Sequence, residues 1–382
     1  MYILLLSIIY LAFISLGLPD SLLGAAWPTL HVAFDVPISY MGIVSMIISG
    51  GTILSSLLTD KLTRKFGTGI VTGASVLLTA AALLGFSMSN AFYQLCLWGI
   101  PYGLGAGAID AALNNYVALH YSSRHMSWLH CFWGVGAMIS PYIMSYALVN
   151  SYFGDGYKRV SLIQFIIFLV LLLALPLWKK MPKKGGEDSG EAPIKLSEAL
   201  KTKGVVPILL AFMAYCSAEA TAMLWASSYL EHSFEMTKDR AAALGSLFFI
   251  GITLGRFLSG FISERLGDRR LIDLGSLIAI LGVLLTAIPL ETVAIAGFII
   301  LGLGCAPIYP SIIHSTPVIF GEEKSQSIIG VQMASAYFGS TFMPPLFGLI
   351  ANHIDISLMP LYLGAFLLAM LIFITRSRKI LA

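Results

Sequence analysis

Charge is scarce in this sequence. Asp, Glu, Lys and Arg supply only 11% of its 382 residues, hydrophobic residues supply 57%, and the mean hydropathy is +0.85. A soluble domain carries roughly 25% charged residues, so a soluble two-domain fold is excluded and lipid must be the solvent. Cysteine is nearly as sparse. Cys96, Cys131, Cys216 and Cys305 lie in apolar runs without CxxC or other ligand spacing, which excludes a disulfide framework and leaves them as small hydrophobes. Net charge is only +3, with no basic stripe carrying interleaved aromatics, so nucleic acid is excluded as a partner. The histidines His31, His120, His125, His130, His232, His314 and His353 are dispersed with no HExxH. No metal site, no cofactor and no membrane-enzyme chemistry is therefore expected. The first run lacks a charged n-region and a small-residue cleavage site, so no cleavable signal peptide is expected.

Long apolar runs are abundant. A hydrocarbon core about 30 Å thick takes about 20 apolar residues per helix. Reading runs between polar breaks predicts spans at 2–33, 37–59, 67–88, 91–120, 127–150 and 159–178, then at 204–231, 241–263, 270–289, 292–316, 325–350 and 357–375. The expected fold is all-α and integral to the membrane, with twelve transmembrane helices in two pseudo-symmetric six-helix bundles, residues 1–178 and 204–382. Residues 179–203, with KKMPKKGGEDSGEAPIK, read as a solvated linker. Of the 23 Lys and Arg, eighteen fall on one side, seven of them linker lysines. Four (Lys158, Arg159, Lys238, Arg240) fall on the other and Arg256 lies within a span. The cation-rich side is cytoplasmic, which predicts a multi-pass inner-membrane protein with both termini and the linker inside.

The segment SLLTDKLTRKFG, Ser56 to Gly67, recurs as GFISERLGDRRL, Gly260 to Leu271, each after the second helix of its half. GLGAGAID from Gly103 resembles GLGCAPIY from Gly302, and Gly134 with Pro141 resembles Gly339 with Pro344. The halves therefore read as parallel repeats. An acid, a base, a spacer, a small residue and a basic pair resemble the loop signature of the major facilitator superfamily. Here they are Asp60, Lys61, Thr63, Arg64 and Lys65, then Glu264, Arg265, Gly267 and Arg269. The first copy has Ser56 and Thr63 where glycines are usual, while the second keeps Gly260 and Gly267. Asp60, Lys61, Arg64, Glu264, Arg265 and Arg269 form the expected conformational switch, because ion pairs at a helix end differ between conformers and bias their equilibrium. The alternative is that they anchor the loops.

An ionisable residue at bilayer depth costs about 2.5–3.5 kcal/mol on insertion scales. Asp20 sits in SLGLPDSLLGAAWP, where Gly17, Pro19, Gly24 and Pro28 interrupt the first helix; it either lines a cavity or lies in a turn near the surface. Asp110 lies mid-span after a glycine run, with Asn114 one turn on and Asn115 beside it. Asp110 is either a structural acid satisfied by Asn114 or a cavity carboxylate; in the second role it leads as the expected proton-coupling group and Asp20 follows. Glu219, with Trp225 and Tyr229 downstream, suits a sugar, whose C–H faces stack on aromatics while its hydroxyls bond a carboxylate. The two aromatics fit an outer interfacial belt equally well. Arg256 either snorkels or pairs with an intramembrane carboxylate. His130 is a structural group or a cavity residue.

Several segments resemble the fucose–galactose–proton symporter branch: the acid in the broken first helix (Asp20); Asp110, Asn114 and Tyr116 in the fourth; Glu219, Trp225 and Tyr229 in the seventh; and GFIILGLGCAPIYP from Gly297 in the tenth. That branch commonly has Glu where Asp110 stands. The resemblance implies a secondary transporter that moves a monosaccharide or similar solute by alternating access about a midplane site, coupled to protons or sodium. It carries the coupling role to Asp20 and Asp110. Asp20, Asn114, Asn115, Glu219, Trp225, Tyr229, Tyr309, Gln332 and His130 are the expected solute contacts. The expected partners are the solute and lipid, and the chain is expected to be monomeric. A drug or metabolite exporter is the rival within the superfamily; Asn114, Asn115, Gln332 and His314 favour a hydroxylated solute.

Overall fold

The computed structural model describes residues 2–182, 184 and 194–381, with the backbone alone at Lys238, Asp239 and Ala242. Ten residues of the expected linker, 183 and 185–193, Lys183 included, lie outside the described residues.

The described residues form long helices and no strand. We label them α1 (Tyr2–Ala33), α2 (Ile38–Phe66), α3 (Thr68–Ser87), α4 (Phe92–His120), α5 (Ser123–Asn150), α6 (Phe153–Lys179) and α7 (Val205–Ser233). The stretch Leu247–Thr286 is broken at Gly267 into α8 (247–266) and α9 (268–286). α10 (Glu291–Phe320), α11 (Glu322–His353) and α12 (Ile356–Leu381) follow. Nine candidate membrane spans stand out by length and apolarity among the described residues. One of these covers both α8 and α9, and the more polar α4 and α11, of 29 and 32 residues, are long enough to cross as well.

Large apolar side chains such as Leu58, Leu173, Leu224, Leu284 and Ile372 are exposed, whereas Thr59, Thr72, Asn114, Gln164, Ser217 and Ser276 are buried. This inverts a soluble protein. In lipid the apolar face meets hydrocarbon, and small or polar residues join the helices.

The chain packs as two compact units. The first holds residues 1–120, 129–194 and 320–334, and the second holds 121–128, 195–319 and 335–382. The start of α11 thus belongs to the first unit and the start of α5 to the second, which a split at the linker does not anticipate.

The first unit has a core of Leu18, Leu22, Trp27, Phe86, Tyr102, Met144 and Tyr157. Its α2 is stitched to α4 by small residues at helical spacing: Ser55 and Ser56 donate to the carbonyls of Gly103 and Gly107 at 3.5 and 3.3 Å. Gly103 lies against the Ile48 carbonyl of α2 and Gly105 against that of Ser75 in α3, with no room for a Cβ. In the second unit Gly302 meets the Phe248 carbonyl of α8 and Gly304 meets Gly275 of α9 in the same way. The sequence repeat is therefore a repeat of packing.

Several span ends differ from expectation, and two of the shifts have a clear cause. α6 begins at Phe153 rather than 159 because the charged stretch through Lys158 and Arg159 is its first two turns, with the Arg159 guanidinium 4.8 Å from the Tyr146 ring. α2 continues to Phe66 rather than 59. With Thr63 where the second copy has Gly267, the helix runs on to Gly67. Gly67 and Gly267 adopt the same turn, φ 82 and 73, a region that favours glycine.

Candidate functional site

In the first unit the path of α1 is interrupted at Ser21, between Tyr2–Asp20 and Leu22–Ala33. Pro19 has no N–H for the Ser15 carbonyl one turn back; the side-chain amide of Gln164 in α6 donates to it instead, at 2.7 Å. Asp20 follows and is exposed. Its Oδ1 accepts from the Tyr102 hydroxyl of α4 at 2.9 Å and its Oδ2 from the Trp133 indole of α5 at 2.8 Å. Trp133 reaches it because α1 and α5 cross with their backbones touching, Gly17 against the Trp133 carbonyl and Gly136 against that of Ile14. Both donors are neutral, and no base is among the bonded partners of Asp20.

Asp110 is buried, 4% exposed. The Asn114 amide donates to its Oδ1 at 2.8 Å, and His130 Nε2 lies 3.0 Å from Asn114 Oδ1. The i, i+4 spacing read from sequence is thus a real pair, and His130 extends it into a chain across α4 and α5. Asn115 takes a different path: it accepts from Ser325 at 2.6 Å, while Gln326 donates to the Ala111 carbonyl at 3.1 Å. These bonds hold the start of α11 on α4. Gln332, fully buried, belongs to the same segment.

In the second unit Arg256 does not snorkel. Its Nη2 donates to Glu219 Oε1 at 2.9 Å, with the two side chains 4% and 12% exposed. Tyr215, one turn before Glu219, donates to the Cys305 carbonyl at 2.8 Å. Tyr309 lies 6.4 Å, ring to ring, from Tyr215 and 4.7 Å from Phe212. Trp225 and Tyr229 do not join this group. Six and ten residues along α7 carry them about 9 and 15 Å from Glu219. The Trp225 indole donates to the Pro344 carbonyl at 2.9 Å and the Tyr229 hydroxyl to that of Thr286 at 2.8 Å. Tyr229 lines a separate cavity of about 620 Å³ with His232, Pro289 and Asp355.

The loop acids are engaged within each unit. In the first, Asp60 pairs with Arg64 at 2.7 Å and accepts from Ser327, and Arg64 donates to the Glu323 carbonyl at 2.9 Å. In the second, Glu264 takes Arg124 at 2.7 Å and Ser122 at 2.9 Å. Neighbouring Asp268 takes Ser123 and His314. Each copy therefore grips the start of a later or earlier helix, α11 or α5. Lys61 and Arg265 are exposed, and Arg269 contributes its carbonyl, at 3.4 Å from Arg378 Nη2. Sequence reasoning missed Tyr102, Trp133 and Asp268 and left Tyr215 out of the site; Asp268, inside the loop motif, and Tyr215, one turn before Glu219, carried a local signal.

No group of three or more His, Cys, Asp or Glu among the described residues is arranged to hold a metal.

Similar proteins share this architecture. The solved structure of FucP in the outward conformation superposes with a TM-score of 0.79 over 99% of both chains at 16% identity. The proton:xylose symporter XylE bound to 6-bromo-6-deoxy-D-glucose gives 0.80 over 97% of this chain and 94% of that one, at 12% identity. In sequence, the glucose/mannose transporter GlcP of Bacillus subtilis is 22% identical over 90% of this chain and 87% of its own. Bypass of stop codon protein 6 of Saccharomyces cerevisiae is 24% identical over 91% and 77%. The family model of the Major Facilitator Superfamily matches residues 9–225 and again 207–380, one copy on each half of the repeat. With the duplicated loop motif, the duplicated glycine seams and nearly the whole length matched, the chain belongs to the Major Facilitator Superfamily of membrane transporters.

Proposed function

We propose that the protein takes up a monosaccharide or similar hydroxylated solute together with protons, by alternating access, from a cytoplasmic membrane with both termini inside. The observation that carries this reading is Asp20, an accessible carboxylate at a helix break, held by the Tyr102 hydroxyl and the Trp133 indole and by no cation. A carboxylate bonded only to neutral donors gains most from taking up a proton when it leaves water. The same oxygens and the flanking aromatic rings suit sugar hydroxyls and C–H faces. Asp110, enclosed with Asn114 and His130, is a second protonatable group in the same unit. Sugar transporters among the relatives support the solute class.

Purified protein in proteoliposomes, given an inward proton gradient and radiolabelled D-glucose, L-fucose or D-xylose, should accumulate at least one of them, and an uncoupler should abolish accumulation. Accumulation that follows a sodium gradient alone would replace the proton. Ethidium efflux with no sugar uptake would replace the reading with that of an exporter.

A further inference from the structure

Beside the Asp20 site, on the Ser15 side of the break, the first unit contains a cavity of about 10 Å³ lined by Ser15, Pro19, Thr79, Tyr102, Ala106 and Gln164, with Leu16, Val76 and Ile109 completing its apolar wall. Two polar atoms at its edge are left over. Ser15 Oγ and Gln164 Oε1 are buried without a hydrogen-bond partner, on residues 1% and 0% exposed. The other end of the Gln164 amide is fixed, because Nε2 donates to the Ser15 carbonyl, so Oε1 cannot exchange places with it. Leaving a buried acceptor unsatisfied is unfavourable, and a cavity of roughly 10–15 Å³ with two or more polar partners is what one water molecule requires.

We propose that this cavity is a binding site for a single ordered water that joins the helix break to the Asp20 site. The hydrogen-bond count closes. Ser15 Oγ–H donates to the water, which donates one hydrogen to Gln164 Oε1 and the other to the Tyr102 hydroxyl oxygen. Tyr102 has one proton, already committed to Asp20 Oδ1, so its oxygen is free to accept. A water donating to that oxygen holds the hydroxyl in the orientation that serves Asp20. A sodium ion fits less well, since a hard cation collects about six oxygen ligands, carboxylates among them, and no carboxylate lines this cavity.

The inference draws its consequence from the reading of Asp20 as a coupling group, but its test needs no transported solute. A structure of the full chain at a resolution that orders water, in sodium-free buffer, should show a density peak within hydrogen-bond distance of both Ser15 Oγ and Gln164 Oε1. An empty cavity, or a peak that appears only with sodium, overturns the proposal. Gln164 and Tyr102 share no direct bond, so the water is their only polar link. Unfolding midpoints in detergent for Gln164→Leu, Tyr102→Phe and the double variant should be non-additive, the double losing less than the two singles together. Ser15→Ala replaces Gln164→Leu in the same cycle should that variant fail to fold. Strict additivity in the cycle also overturns the proposal, even where sugar uptake is intact.

Discussion

Removing one member of the Glu219–Arg256 pair should destabilise the protein more than removing both. The two groups meet at 2.9 Å with side chains 4% and 12% exposed, on helices that cross the membrane, so neither charge has water to fall back on. At an effective dielectric of about 20, opposite charges 4 Å apart attract by about 4 kcal/mol. Breaking a buried pair by removing one partner costs about 3–5 kcal/mol, because the survivor is left charged and dry. Arg256→Met strands the Glu219 carboxylate, and Glu219→Gln strands the guanidinium. Each single variant should therefore lose about 3–5 kcal/mol. The Glu219→Gln/Arg256→Met double variant removes both charges at nearly constant volume and should recover most of the loss. The assay is reversible unfolding in detergent, with the four proteins read as a thermodynamic cycle. Additive losses, or a Glu219→Gln variant as stable as the wild type, would show that the pair is not the dry ion pair the geometry describes. The same variants test solute contact: Glu219→Gln should weaken binding of the proposed sugar solute by about 1.5–3 kcal/mol if a solute hydroxyl shares the carboxylate, and unchanged affinity would remove Glu219 from the site.

Asp60→Asn loses the Arg64 ion pair but keeps an acceptor for Ser327, so transport should fall while sugar affinity in detergent stays within a few-fold; loss of binding in a folded protein would refute the switch role. Asp20→Asn should abolish proton-driven accumulation yet preserve part of the sugar counterflow, which needs no proton cycle. Asp110→Asn tests the second acid by the same two assays, and undiminished, uncoupler-sensitive accumulation in either variant would take that residue out of the coupling path. Gly105→Ala drives a methyl into the Ser75 carbonyl and Thr79 and should lower both folded yield and unfolding midpoint. Gly73→Ala, with nothing within 4 Å of its added carbon, should be neutral or stabilising by up to about 1 kcal/mol; equal effects of the two would undo the seam argument.

Much of the fold was legible because its causes are local. Apolar runs long enough to cross a bilayer, a loop motif repeated 204 residues apart and glycine runs at matching positions are all read along one line of sequence. The Asp110–Asn114 bond was legible for the same reason, since one helical turn puts the two side chains on one face. What escaped was set by packing between distant segments. Tyr102 and Trp133 reach Asp20 across 82 and 113 residues, and Arg256 reaches Glu219 across 37. No periodicity encodes which facing turn a side chain will meet. Sequence proximity misled in the opposite sense at Trp225 and Tyr229. Both follow Glu219 closely in the chain, yet the rise of the helix carries them about 9 and 15 Å away, where carbonyls of α11 and α9 occupy their donors.

Two of the intramembrane acids, Asp20 and Glu219, are treated differently by their surroundings, and that difference bears on coupling. Glu219 has a guanidinium against it, so a proton arriving there must first displace an ion pair. Asp20 has an indole and a phenol, each donating one hydrogen bond to a different oxygen. When Asp20 takes up a proton, one oxygen becomes a hydroxyl, a weaker acceptor than a carboxylate oxygen, so the donor bonded to it, Tyr102 or Trp133, is held less tightly. A sugar hydroxyl is a ready acceptor for that donor, and the new carboxyl O–H is itself a donor to the sugar. Proton and solute would then each improve the site for the other, and by linkage the two affinities must rise by the same factor. Coupling of this kind requires no movement of charge between distant groups; it follows from the number of hydrogen-bond donors that converge on one carboxylate.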